Sequence, residues 1–102
     1  MNTADLVAYL DAYLNTGAIQ DASQNGLQAE GPAAVHKAAF AVDGSFATIE
    51  AAVKANADML IVHQGIFWDK PVRETGPLYK RLKALFSGSC ALYASHLPLD
   101  LH

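Results

Sequence analysis

The chain is 102 residues long, which is enough for one small domain with a modest hydrophobic core. Hydrophobic residues make up 52% of it and charged residues 17%, and this composition excludes a disordered or fibrous class. The formal net charge of −3 argues against nucleic acid as a general partner. The single cysteine, Cys90, cannot form an internal disulfide, and no apolar run approaches the roughly 20 residues of a membrane helix. We therefore expect a cytoplasmic protein without a membrane contact.

The first predicted element is a helix near the N-terminus. Thr3 is its predicted N-cap, apolar residues then recur at helical spacing, and Gly17 ends it. Residues 21–28 are predicted to be irregular because they contain the turn signal Asn25-Gly26.

Strands and helices then alternate to the end of the chain. Short apolar runs predict strands over residues 35–42, 59–62 and 90–94, and the helices between them begin at Ser45 and at Thr75 or Gly76. Alternation of this kind is typical of a parallel sheet with crossover helices. We therefore predict one α/β domain over residues 1–102, with three layers and a mostly parallel sheet.

Charge is distributed unevenly along the chain. Up to Trp68 there are two Lys/Arg against seven Asp/Glu, whereas Asp69 to Lys83 contains five basic residues and two acidic ones. This basic segment is either a solvated helix face or a surface that attracts a phosphorylated ligand or a partner.

Polar residues follow each predicted strand: Asp43 after the first, His63-Gln64 after the second and His96 after the third. Parallel strands end at one sheet edge, and open α/β sheets bind ligands there. Asp100 follows His96 by four residues, so His63, His96 and Asp100 could supply two imidazoles and a carboxylate to zinc, iron or manganese. The alternative is that both histidines are structural residues satisfied by hydrogen bonds.

Three motifs resemble those of one family. They are Gln24-Asn-Gly-Leu-Gln28, Val62-His-Gln-Gly-Ile-Phe-Trp68 and Tyr93-Ala-Ser-His-Leu-Pro-Leu-Asp100. Their order and spacing resemble the dinuclear-metal-centre hexameric family, also called GTP cyclohydrolase I type 2 homologues or NGG-interacting-factor-like proteins. The resemblance implies that this chain is one lobe of a two-lobe fold, that the protein self-associates into toroidal hexamers, and that paired metals sit between the lobes.

The resemblance also implies roles for individual residues. His63 and Asp100 match metal ligands, and His96 matches an active-site residue, either a catalytic proton-transfer group or a further ligand. Gln64 stands where the family has a second histidine and is a predicted metal residue, but its amide is a poorer ligand than imidazole. We therefore expect one or two divalent ions, with a second site that is weak, empty or suited to a harder cation. The family supplies a further His and Glu late in a longer chain, which implies that this sequence is a fragment or a short form.

The leading hypothesis is a metal-dependent hydrolase scaffold that acts on a small cyclic or phosphate-bearing substrate, which the sequence does not identify, and that is incomplete as this chain alone. The alternative is a non-enzymatic assembly or interaction module whose metal site is structural or vestigial.

Overall fold

A four-stranded sheet forms the middle layer of the computed structural model, which describes residues 1–102. The elements in chain order are α1 (Thr3–Tyr13), a 3-10 turn (Thr16–Ala18), β1 (Gly26–Ala29), β2 (Ala38–Asp43), α2 (Phe46–Lys54), β3 (Met59–Gln64), α3 (Pro77–Ser87), β4 (Ala91–Ala94) and α4 (Leu97–Asp100). The strand order is β1-β4-β3-β2, in which β2, β3 and β4 run parallel and β1 is antiparallel to β4. The predicted α/β class, with a mostly parallel sheet and crossover helices, is confirmed.

Helices α2 and α3 cover one face of the sheet and form the larger core with it. Ile49 of α2 and Leu85 of α3 are fully buried there, and Leu60 and Leu92 of the central strands are within 1% of full burial. The apolar face of α3 follows from Leu78, Leu82 and Leu85, which recur at helical spacing while basic side chains occupy the rest of the surface.

Helix α1 lies on the other face of the sheet. Its leucines pack against Met59 and Tyr93, which are both fully buried. The Tyr93 hydroxyl donates to Asp11 Oδ1 of α1 at 2.6 Å, and it lies 3.1 Å from Thr16 Oγ1 just beyond the helix. These bonds satisfy a polar group that would otherwise be costly to bury.

Helix α1 leaves β2 uncovered on its side of the sheet. Phe40 and Val42 of β2 are 76% and 69% exposed, and Tyr9 and Tyr13 of α1 are exposed beside them. These four residues define what we call the open apolar face.

Residues 26–29 correct the prediction of an irregular segment. They form β1, whose pairing places Gly26 opposite Ala94 and Leu27 opposite Tyr93. The Asn25-Gly26 pair therefore does not turn the chain into a hairpin. Gly26 instead begins a strand with φ at +106°, a backbone conformation that favours glycine.

Other boundaries differ in smaller ways. Asn2 rather than Thr3 caps α1, because Asn2 Oδ1 accepts from the Asp5 N–H while Thr3 Oγ1 donates to the carbonyl of Pro32. The predicted cap at Ser45 is confirmed, since its Oγ accepts from the Thr48 N–H. The second predicted strand extends two residues further than expected, so His63 and Gln64 lie inside β3. None of the helices is both long and apolar enough to cross a membrane.

Candidate metal centre

The ends of the parallel strands bring the predicted site residues to one edge of the sheet. His63 is the penultimate residue of β3, and His96 follows β4 by two residues. The short helix α4 then turns the chain back, so that Asp100 Oδ1 lies 2.9 Å from His63 Nε2. The rings of His63 and His96 have centroids 4.7 Å apart. The structure therefore brings together His63, His96 and Asp100, which are up to 37 residues apart in sequence.

The donor atoms of these three residues suit a borderline divalent cation. One nitrogen or oxygen from each lies within 4.8 Å of the others, and the closest pair is 2.9 Å apart. Tetrahedral zinc bonds of about 2.1 Å would place ligand atoms about 3.4 Å apart, so small side-chain movements bring the set to that geometry. The Asp100 side chain is 51% exposed and can make this adjustment, whereas the two histidine side chains are only about one quarter exposed. A cation held by three such donors would keep coordination positions open, as catalytic sites do.

Gln64 lies next to His63 in β3 and is exposed. Its side chain makes no hydrogen bond to His63, His96 or Asp100. Its role as a metal ligand remains a prediction.

Asp21 belongs to this site, although no pattern in the sequence selects it. Its side chain is only 3% exposed and lies against His96, whose Nδ1 is 3.1 Å from Oδ1 and 3.2 Å from Oδ2. Burial acts to raise the pKa of Asp21, but hydrogen bonds from Asn25 and from backbone N–H groups outweigh it and hold this pKa well below its ordinary value. Asp21 and His96 are 75 residues apart, so no local spacing pattern could have linked them.

The three sequence motifs meet in space beside the histidines. Gln28 Oε1 accepts from the N–H groups of Ile66 and Phe67 at 2.7 and 3.3 Å, and its Nε2 donates to the Phe67 carbonyl at 3.0 Å. The side chain of Gln24 donates to the carbonyl of Trp68 at 2.7 Å. These bonds fix the loop after β3 and thereby place the Trp68 ring edge-on to the His96 ring, with centroids 5.2 Å apart. Trp68 forms a wall of the candidate site.

Part of the basic segment reaches the same edge of the sheet. The N-termini of α2 and α3 border a cleft of about 690 Å³, which is lined by Ser45, Phe46, Gly76, Pro77, Lys80 and Arg81. Arg81 Nη1 donates to the Gly44 carbonyl at 3.5 Å, and the Gly44 N–H donates to the Gln64 carbonyl at 2.8 Å. The cleft therefore lies beyond β2, next to the strand that carries His63.

The fold and this edge define a class: an α/β protein whose parallel strands end in a cluster of two histidines and an aspartate. The family model for Duf34/NIF3 (NGG1p interacting factor 3) matches residues 1–102, and the chain belongs to this family. The resemblance predicted from the three motifs is confirmed.

Individual relatives support this assignment. The protein named GTP cyclohydrolase 1 type 2 homolog in Pyrococcus horikoshii is 50% identical over 102 residues, which are 100% of this chain and 41% of that protein. The crystal structure of TTHA1606 from Thermus thermophilus superposes with a TM-score of 0.97 at 48% identity, covering 100% of this chain and 43% of that one. Reduced HcgD from Methanocaldococcus jannaschii gives a TM-score of 0.86 at 27% identity, covering 98% and 41%. The chain thus spans about two fifths of the length of the relatives it matches.

Proposed function

We propose that this chain supplies His63, His96 and Asp100 to a divalent-metal centre in a hydrolase that acts on a small, phosphate-bearing substrate. The observation that supports this most directly is the convergence of three donor atoms within 4.8 Å at the carboxyl edge of a parallel sheet. The proposed metal is zinc, iron or manganese, because imidazole and carboxylate together suit these ions. With only three such ligands, the proposal is for one ion on this chain, and a second ion would need ligands from elsewhere.

The contacts at the site suggest a role for each residue. A bound divalent cation supplies Lewis acidity for hydrolysis. His63 and Asp100 would hold it. His96, whose Nδ1 is 3.1 Å from Asp21 Oδ1, would offer its other ring nitrogen as a further ligand or a proton-transfer group. Trp68 shields one side of His96 from water.

The basic cleft beyond β2 favours an anionic substrate. Lys80 and Arg81 line it, and the positive ends of the α2 and α3 dipoles face it. Relatives that carry the name GTP cyclohydrolase 1 type 2 homolog are consistent with a phosphate-bearing ligand, although a name shared within a family does not fix the reaction.

Metal content tests the proposal. Protein purified without chelator and analysed by elemental mass spectrometry should contain about one equivalent of zinc, iron or manganese per chain, and His63→Ala should lose it. His36→Ala is the matched control, because His36 is exposed and lies outside the cluster. Equal metal content in all three proteins, or none in the wild type after cations are added, would contradict the proposal.

A second candidate function is a non-enzymatic assembly module, and the open apolar face favours it. Phe40 and Val42 expose large apolar side chains in one continuous groove with Tyr9, Tyr13 and Leu99. Exposed apolar patches of this kind mark interaction surfaces. On this proposal the chain self-associates through this face, and the family resemblance implies a hexamer.

Light scattering tests this second function. If assembly is the role of this surface, the mass should exceed that of one chain and fall towards it in Phe40→Asp, while Tyr79→Asp, which alters an exposed aromatic on α3, should leave it unchanged. A monomer at every concentration would contradict self-association of this chain.

A further inference from the structure

The Asp21 carboxylate joins three parts of the site that are distant in sequence. Oδ2 accepts from the backbone N–H of Leu97 at 2.8 Å and from Asn25 Nδ2 at 3.0 Å, and Oδ1 accepts from the Ser23 N–H at 3.2 Å. His96 Nδ1 approaches both oxygens. These contacts fill the acceptor capacity of a carboxylate almost completely.

Asn25 also contacts His96, through the His96 backbone. Its Oδ1 accepts from the His96 backbone N–H at 2.9 Å, while its Nδ2 donates to Asp21. The backbone and the ring of His96 are thus held by two neighbouring side chains of one loop. Asp100, by contrast, has only the His63 contact among side chains and is half exposed.

The chemistry of the carboxylate determines which nitrogen of His96 is protonated. Three of the groups that contact Asp21 are amide N–H groups, which can only donate, so both oxygens act as acceptors. An acceptor facing Nδ1 requires the hydrogen to be on Nδ1. In neutral imidazole the lone pair is then on Nε2, the nitrogen free to serve the cluster with His63 and Asp100.

We propose that Asp21 is a positioning residue, which fixes His96 as the Nδ1–H tautomer and turns the Nε2 lone pair towards His63 and Asp100. Its bond to the Leu97 N–H also fixes the start of α4, the helix that carries Asp100. The consequence for metal binding rests on the proposed function, whereas the tautomer is a property of the metal-free protein. Carboxylate partners of this kind orient imidazole ligands and raise their basicity.

Nitrogen-15 NMR of the imidazole rings tests the tautomer directly. In metal-free wild-type protein, at a pH where the nitrogen shifts of His96 show a neutral ring, His96 should show a protonated Nδ1 and an unprotonated Nε2. Its resonances are assigned by comparison with His96→Gln. Asp21→Asn should lose this signature, because its amide can donate to Nδ1 and so favours the opposite tautomer. Asp43→Asn is the matched control: Asp43 also accepts from a backbone N–H and a side chain at the same sheet edge, but it does not touch a histidine.

The wild-type spectrum alone can overturn the inference. If His96 carries its hydrogen on Nε2, the inference is wrong, whether or not Asp21→Asn folds. The inference is also wrong if Asp21→Asn folds and keeps the wild-type tautomer, since Asp21 would then serve only to stabilise the loop.

Calorimetric titration with Zn²⁺ separates this inference from the proposed function. Binding to Asp21→Asn should be about 10- to 100-fold weaker than to wild type and to Asp43→Asn. If wild type binds no Zn²⁺, the proposed function fails, and the NMR result alone decides the inference. If Asp21→Asn and wild type bind Zn²⁺ equally, Asp21 does not position His96 for the metal, and the inference is overturned.

Discussion

The two faces of the sheet differ in how completely they are covered. On one face, α2 and α3 enclose a continuous core in which Ile49 and Leu85 have no exposed surface. On the other face, α1 buries Tyr93 of β4 but leaves Phe40 of β2 76% exposed. Packing on the first face stabilises the fold. On the second face the open apolar face remains accessible to a binding partner.

The candidate metal centre lies at the boundary of the open half. His63 and Leu99 line the same groove as Phe40, and Asp100 is the residue after Leu99. The strands that carry the site are therefore fixed by packing against α2 and α3. The groups that would contact a ligand lie at an accessible edge of the sheet. Rigid placement of exposed groups is what a catalytic or binding site requires.

Truncation of one side chain on each face should give the largest contrast. Leu85→Ala removes a fully buried side chain from the closed core and should lower the free energy of unfolding by about 2–5 kcal/mol. Phe40→Ala should change it by no more than about 0.5 kcal/mol, because that side chain is mostly exposed. Urea denaturation followed by circular dichroism measures both.

Equal losses in the two variants would mean that the open apolar face is covered in solution. Light scattering on the same samples would then show whether a second copy of the chain covers it.

The elements that the sequence predicted correctly are those with a strong local pattern. The apolar runs of β3 and β4, together with the helix starts at Ser45 and at Thr75 or Gly76, were sufficient to predict a parallel sheet with crossover helices. Strand β1 was missed because its stabilising partner is β4, which follows far along the chain, and its own four residues carry no alternating pattern.

The candidate site was predictable to the same extent. His63 and His96 could be grouped because they lie at the ends of two parallel strands, which share an edge, and Asp100 joined them because it follows His96 by four residues. Asp21 could not, because it lies in an irregular segment and meets His96 only through the tertiary fold. The geometry that orients a site residue thus depends on contacts that the local pattern does not record.

Gly65 lies in the loop after β3, at the sheet edge that carries the candidate site, and a side chain there should disturb this edge. A Cβ on Gly65 would lie 2.7 Å from Ala94 Cβ and would also collide with the side chain of Gln28. Gly65→Ala should therefore destabilise the protein by about 1–3 kcal/mol and disturb the loop that carries Trp68. Thermal unfolding and tryptophan fluorescence measure the two effects.

Gly17→Ala is the matched control, because a Cβ there meets nothing within 4 Å. If the two variants have the same melting temperature, the loop after β3 can move away from Gln28, and the three motifs are less tightly joined than the contacts indicate.

The smallest of these predicted effects is at alkaline pH, on the covered half of the α1 face. Burial, together with the hydrogen bond to Asp11, raises the pKa of Tyr93 well above its ordinary value of 10.0. In the unfolded chain Tyr93 ionises as the pH rises past about 10, while in the folded chain it stays neutral, so its contribution to stability is fully present below that pH and is lost above it. The loss of stability attributable to this group should approach about 1.4 kcal/mol per pH unit.

Urea unfolding between about pH 9 and 11, on either side of the ordinary tyrosine pKa, should show a shallower decline of the free energy of unfolding in Tyr93→Phe than in wild type. Tyr79→Phe, which alters an exposed ring, should follow the wild type. Identical declines in all three proteins would mean that the Tyr93 hydroxyl reaches water, and that α1 covers its half of the face less firmly than α2 and α3 cover theirs.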